Sequence, residues 1–369
     1  MEEKSKVLIV GATGRLGYHL AQFSLQFGHP TYILIRDSSL NDPNKAQKLN
    51  FLSTAGAISL KGSLEDENSL MEAVKQVDVV ICSIPSKQAL DQKLLVKVIK
   101  ESGCIKKFIP SEFGVDPDKI QIYNLAHRFY AGKTEIRRLI EAEGIPYTYI
   151  CCNLFMGYLL PSLAQPGLKA PPRDKVTIFG DGNAKAVFVK DVDVAACTIN
   201  AIDDPRTLNK TLYLRPHTNV YSINELVAMW ETKIGRELEK IHVPEEELLL
   251  KIKESSYPDN LEMIFIYSAF VKGDHTYFDI DECGVDGTKL YPHLKFTTEI
   301  VVDCEDLPRG RRAVRMVGLY ELLCQENEIL TNEVKKACGI ARSKKATTTI
   351  RPPELIARES NLAKKVSVT

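Results

Sequence analysis

Val7-Leu8-Ile9-Val10 runs directly into Gly11-Ala12-Thr13-Gly14-Arg15-Leu16-Gly17, and an apolar helical pattern follows from Leu16 to Phe27. Strand, glycine-rich turn and helix in that order make the first half of a βαβ unit. Glycine lets the turn bend tightly and lets the backbone approach a pyrophosphate. The helix that starts there points its free N–H groups and the positive end of its dipole at the phosphates. The next apolar run, Thr31 to Ile35, ends on Arg36. A site for NAD carries Asp or Glu at that place, for the ribose 2′-hydroxyl, whereas arginine suits a 2′-phosphate. Lys45 and Lys48 follow within reach, and Asp37 is the competing sign. The expected cofactor is NADPH rather than NADH.

Apolar runs and helical patterns alternate through the first half. Strands are expected at Val7–Val10, Thr31–Ile35, Ala57–Lys61, Val77–Ser83, Lys107–Ile109 and Tyr147–Cys151. Helices are expected near Leu16–Phe27, Pro43–Thr54, Glu67–Lys75, Leu90–Ser102 and Leu125–Glu143. Short apolar strands separated by helices specify an α/β fold with a doubly wound, Rossmann-type parallel sheet. Gly28-His29-Pro30, Gly103 and Gly144-Ile145-Pro146 are helix stops.

After Asn153 the rhythm changes. Leu168 to Arg173 reads as a Pro-containing loop, Ile178 to Asn183 as a strand entering a Gly-Asp-Gly turn, and Leu208 to Arg215 as a further strand. Ile223–Gly235 and Glu245–Glu254 are amphipathic. The expected division is a cofactor domain over 1–152 and a smaller C-terminal α/β substrate-binding part over 153–302, some of whose strands return to the main sheet. From Asp303 the chain holds 13 Lys/Arg against 9 Asp/Glu, a net +4. This atypical basic tail is read as partly disordered, with one amphipathic helix over Val314–Lys336.

Across all 369 residues, 48 basic and 48 acidic side chains balance. Nothing in that balance calls for a nucleic acid or another polyanion. No apolar run approaches transmembrane length, so no membrane partner is expected. The nine cysteines lack metal-ligand spacing and the seven histidines form no metal cluster. An odd cysteine count, with a first strand that begins at Val7, reads as reduced thiols in a cytoplasmic protein.

A nicotinamide enzyme needs a group that takes or gives a proton as hydride moves. Lys133 is the candidate, on the helix before the Gly144-Ile145-Pro146 stop. Such a helix flanks the cofactor crevice. Lys133 and Arg137 are i,i+4 and share a face. Arg137 either holds Lys133 partly deprotonated by like-charge repulsion or contacts the cofactor, and a lysine shifted toward neutrality can act as a general base. Spacing alone favours a solvated basic face. The Tyr and Lys four apart of ordinary short-chain dehydrogenases is absent, since Tyr130 stands three before Lys133. Glu112, in Ser111-Glu112-Phe113-Gly114, either binds substrate hydroxyls or caps its loop. Cys151 and Cys152 read as packed residues.

GATGRLG, VDVVI, PSEFG (110–114), EAEGIPYTY (141–149), APPRDKV (170–176), GDGNAKAVF (180–188), DDPRTLNK (203–210) and FVKGD (270–274) together resemble the plant isoflavone reductase-like group of NmrA-like, atypical NADPH-dependent short-chain reductases. The resemblance runs from about Lys4 to Thr298. GRLG, Ile84-Pro85-Ser86-Lys87 and YSAFVKGDHTYF are most similar to its lignan reductases. It implies Lys133 as general base, Gly11 to Gly17 (with Ala12, Thr13, Gly14, Arg15 and Leu16) on the pyrophosphate, Arg36 and Lys45 on the 2′-phosphate, and Arg137 at a cofactor-contacting position. It implies a small phenolic substrate, such as pinoresinol reduced to lariciresinol and then secoisolariciresinol, through a quinone methide that accepts hydride. Phenylcoumaran benzylic ethers and isoflavones are the alternative substrates, and an NADP-binding redox sensor is the alternative without catalysis. A homodimer is compatible with it. Two departures stand out. Tyr267 replaces a histidine at a position the family places near the substrate, and Thr297-Thr298 runs into Glu299-Ile300-Val301-Val302 and then the unrelated tail.

Overall fold

The computed structural model describes residues 3–298. The expectations for Glu299–Val302 and for the tail beyond, its helix included, lie outside those residues. The first half forms strands β1 (Val7–Val10), β2 (Thr31–Ile35), β3 (Ile58–Lys61), β4 (Val79–Cys82), β5 (Lys107–Ile109) and β6 (Thr148–Cys151). Helices α1 (Arg15–Gln26), α2 (Asp37–Leu40), α3 (Pro43–Thr54), α4 (Glu67–Val74), α5 (Gln92–Ser102) and α6 (Tyr123–Ala142) lie between them. The first five strands are parallel, in the order β3-β2-β1-β4-β5. A parallel bridge from Phe108 to Tyr147 carries the order on to β6. This is the doubly wound sheet that the alternation of runs requires.

β1 shows why its sequence has no polar position. Val7 and Ile9 pack into one core, with Leu20, Ile33 and Leu52, while Leu8 and Val10 pack into the opposite one, with Leu34, Val80 and Val98. A strand covered by helices on both faces is apolar throughout.

The second half adds β7 (Leu154–Phe155), β8 (Lys175–Phe179), β9 (Lys185–Val189), β10 (Lys210–Tyr213), β11 (Val220–Ser222), β12 (Glu239–Val243) and β13 (Val285–Asp286). Its helices are α7 (Asp191–Asn200), α8 (Ile223–Ile234), α9 (Glu245–Glu254), α10 (Leu261–Phe270) and α11 (Gly287–Leu290). β10 lies parallel beside β6, and β13 beside β10. β8 pairs with β12, while β9 pairs with β7 and β11. The strand read at Ile178–Asn183 is a correction. It starts earlier, ends at Phe179, and the Gly180–Gly182 turn leads straight into β9. A separate core gathers around Trp230, Phe188 and Phe270, and the Trp230 indole N–H ties the Pro-containing loop at the Pro172 carbonyl, 2.7 Å away. Among the described residues no helix is long and apolar enough to cross a membrane.

One buried charge gives the fold a pH signature. Lys107, only 4% exposed on β5, donates to the Ala201 carbonyl (2.6 Å), the Asp204 carbonyl (3.0 Å) and Thr207 Oγ1 (3.0 Å). Burial pushes its pKa down to about 8, against about 10.4 for a free lysine. Between those values the unfolded chain holds more protons than the folded one, so stability rises with pH. Chemical denaturation is expected to show wild type gaining on a Lys107→Met variant as pH goes from 8 to 10. A pH-independent gap would mean that the ammonium keeps its ordinary pKa in the fold.

Candidate active site

Strand order reverses between β1 and β4, and a crevice opens outside their carboxyl ends. The loop from Gly11 lies on one side and Ser83 on the other. A Cβ at Gly11 would stand 2.1 Å from the Ser83 carbonyl oxygen, and its φ of +89° excludes most side chains. A Cβ at Gly17 would stand 2.1 Å from the Gly11 carbonyl oxygen, so α1 meets the loop with no room for a methyl group. Gly17→Ala is therefore expected to abolish coenzyme binding and lower the melting temperature, as read by nucleotide fluorescence titration and thermal melts. Wild-type affinity in that variant would contradict the tight loop.

A cleft of about 230 Å³ opens there, lined among others by Gly11, Thr13, Gly14, Arg36, Lys45 and Ser83. Ala12 and Leu16 turn into the core beneath it. Arg36 is exposed and its side chain has no hydrogen-bond or ion-pair partner among the described residues, so its guanidinium is free for an anion. Asp37, the competing sign, is turned to Lys61 at 3.0 Å. Lys45 stands 3.7 Å from Asp42, the N-cap of α3. Lys48 donates instead to the Thr13 carbonyl at 3.1 Å, bracing the glycine-rich loop. Arg15 reaches Asp191 at the start of α7, Nε to Oδ2 2.5 Å. This partner lies 176 residues away, and no local pattern announces it. The free cation and the glycine cradle together fit a phosphorylated dinucleotide.

Ser111 joins this cleft to Lys133. Its hydroxyl donates to the Ile84 carbonyl at 2.8 Å and accepts the Ile84 N–H at 3.0 Å, and the next residue's carbonyl receives Lys133 Nζ at 2.5 Å. On α6, Ala126, Tyr130, Lys133, Arg137 and Ile140 are buried. The spacing places them on one inward stripe, which rules out the solvated basic face. Lys133 is 3% exposed, its Nζ 5.7 Å from the Phe129 ring centre. Burial lowers its pKa below the ordinary lysine value, against the Glu112 carboxylate and the Cys152 and Cys151 thiols. The Arg137 charge adds only the smallest push in the same direction.

Arg137 acts on Lys133 in the expected direction, but its side chain is held mainly by carboxylates. It is 1% exposed, and its guanidinium donates to Glu112 (2.7 Å), Asp116 (2.6 Å) and Asp118 (3.1 Å). Those carboxylates offset its charge, and Arg137 is not among the residues lining the cleft of Arg36 and Gly11. Glu112 is thereby assigned to Arg137 rather than to substrate. Cys151 and Cys152 are packed thiols, and burial pushes Cys152 up to about 12. Tyr267 on α10 is 5% exposed, and its hydroxyl donates to Glu245 at 2.7 Å. It is two residues from Phe265, whose ring meets Phe129 edge-on at 4.9 Å. Phe129 lies over the Lys133 amine, so Phe265 joins α10 to the Lys133 neighbourhood, while Tyr267 packs in the same core as Tyr130. Tyr158 joins that aromatic group, 5.8 Å from Phe265. The sequence does not announce either ring: α10, which carries Phe265, has no readable period, and Tyr158 stands in a connection.

A doubly wound sheet, a glycine cradle at its switch point and a buried lysine beside it define a dinucleotide-dependent oxidoreductase. The NmrA-like family profile matches residues 3–299, and the chain belongs to that family. It is 65% identical to probable pinoresinol-lariciresinol reductase 3 of Arabidopsis thaliana over 298 residues, which is 80% of this chain and 96% of that one. It is 55% identical to a phenylcoumaran benzylic ether reductase of Ginkgo biloba, over 80% of this chain and 96% of the other. Among solved structures, AtPrR2 with NADP+ and (+)pinoresinol superposes with a TM-score of 0.75 at 38% identity, covering 82% of this chain and 100% of that one.

Proposed function

We propose that this chain is an NADPH-dependent reductase that opens the benzylic ethers of phenolic lignans, taking pinoresinol to lariciresinol and on to secoisolariciresinol. The observation that carries this reading is the buried Lys133 amine, with a lowered pKa, one short loop from the cofactor cleft. In this reading 1–152 binds the coenzyme and 153–302 supplies substrate walls. The backbone of Gly11–Gly17 holds the pyrophosphate, and Arg36 and Lys45 hold the 2′-phosphate. Phe129, Phe265 and Tyr158 flank an aromatic ring of the substrate.

The chemistry follows from the amine. Neutral Lys133 takes the proton of a phenol, and the freed electron pair runs through the ring to expel the para-benzylic ether oxygen. The substrate becomes a quinone methide, and the departing ether oxygen takes a proton from solvent to become an alcohol. NADPH, when bound, supplies hydride to the exposed benzylic carbon. Lys133 then returns its proton to the phenolate. Holding the ring and the coenzyme together supplies much of the rate.

Phenylcoumaran ethers are the second reading, supported by relatives that carry that activity in their names. Competition between pinoresinol and a dehydrodiconiferyl alcohol at equal concentration tests the choice. Pinoresinol is expected to be consumed first, and preferential consumption of the phenylcoumaran would reverse the assignment. A coenzyme-binding sensor has no need of a buried base, and turnover of neither ether would favour it.

A further inference from the structure

Lys133 has a single hydrogen-bond acceptor among the described residues, the main-chain carbonyl of Glu112. The side chain of the same residue, 4% exposed, is held by Arg137. Arg137 is in turn fixed from several sides. Asp116 and Asp118 accept its other terminal nitrogen, Asp116 also accepts the Tyr213 hydroxyl from β10, and the Tyr149 ring centre lies 4.5 Å from the guanidinium carbon. The loop itself is strained, because Phe113 sits at φ +32°. A non-glycine residue stays in that region only where its surroundings over-determine it. Gly114 follows, and a Cβ there would come within 3.4 Å of Lys133 Nζ.

We propose that Glu112 and Arg137 are positioning residues, and that their ion pair fixes the Glu112 carbonyl against the Lys133 amine and so aims the lone pair of that amine. This rests on the reading of Lys133 as the base. A neutral amine that keeps one N–H on the carbonyl directs its lone pair elsewhere. With the loop released, the amine swings, hydrates and regains an ordinary affinity for protons. The charged or titratable groups facing it are Glu112 from the loop, Arg137 from its own helix, and Cys151 and Cys152 from the end of β6 and the residue after it.

The test compares wild type with Glu112→Ala, Glu112→Gln and Glu112→Asp. Three quantities are measured: kcat against pH, NADPH affinity, and the pH midpoint for trace acetylation of Lys133 followed by mass spectrometry. Glu112→Ala is expected to bind NADPH normally, to lose at least tenfold in kcat, and to move both the acid limb and the acetylation midpoint to higher pH. Glu112→Gln keeps an acceptor for Arg137 but loses the negative charge. It is expected to retain more of kcat than Glu112→Ala and to move the midpoint down. Should Glu112→Ala fail to fold, Glu112→Asp, one methylene shorter, is expected to raise the midpoint. A wild-type midpoint and kcat in the folded Ala or Asp variant, whatever the melting temperature, would overturn the proposal. The acetylation midpoint needs no substrate, so it decides the positioning role even if wild type reduces no phenolic ether.

Discussion

Replacing Lys133 with methionine is expected to lower kcat for benzylic ether reduction by about a hundred- to ten-thousandfold, the usual contribution of a positioned general base. NADPH affinity is expected to stay within a fewfold of wild type, because Lys133 donates to Glu112 and is not among the residues lining the cleft of Arg36 and Gly11. Methionine preserves most of the buried volume, so the fold is retained. The pH profile is the sharper readout. Only the neutral amine accepts a proton, and burial has lowered the pKa of Lys133. Activity in wild type should therefore rise with pH along a limb displaced below the ordinary lysine range. That limb should vanish in the variant. A variant that retained both the limb and the rate would assign the proton to another group.

Arg36→Ala is expected to weaken NADPH binding by about 1.5–3 kcal/mol, roughly ten- to more than a hundredfold, with little change for NADH. The reason is the free guanidinium at the mouth of the cleft, beside a carboxylate, Asp37, that is already paired with Lys61. Lys45→Ala is expected to cost less, because part of its charge is shared with Asp42. The gap between the two coenzymes should narrow as ionic strength rises, since Arg36 is exposed. Equal losses for NADPH and NADH would show that Arg36 does not meet the 2′-phosphate.

The first half was legible because its signals are local. The apolar run, the Gly11–Gly17 turn and Arg36 are contiguous features whose chemistry follows from position. The first-half strands lie within about two residues of the expected ends. The second half was harder. α10 is apolar all round, and β12 (EKIHV) carries too few apolar residues to announce a strand. At the site, the i,i+4 spacing of Lys133 and Arg137 correctly set them on one face. It could not say that the face is buried, nor that Arg137 is paired with carboxylates 19 to 25 residues away. The role of Glu112 was undecidable for the same reason. Its carbonyl and its carboxylate serve two different residues, and only tertiary structure separates them. Tyr267 stands out as a departure from a family pattern, but that pattern does not announce its bond to Glu245 or the contact of Phe265 with Phe129.

The central claim is tested most directly by incubating the full chain with pinoresinol and NADPH deuterated at the transferable C4 position, beside the Lys133→Met variant. Deuterium at the benzylic carbon of lariciresinol, with product lost in a variant that still binds NADPH, is the result expected. Unlabelled product, or labelled product formed equally well by both proteins, would contradict it.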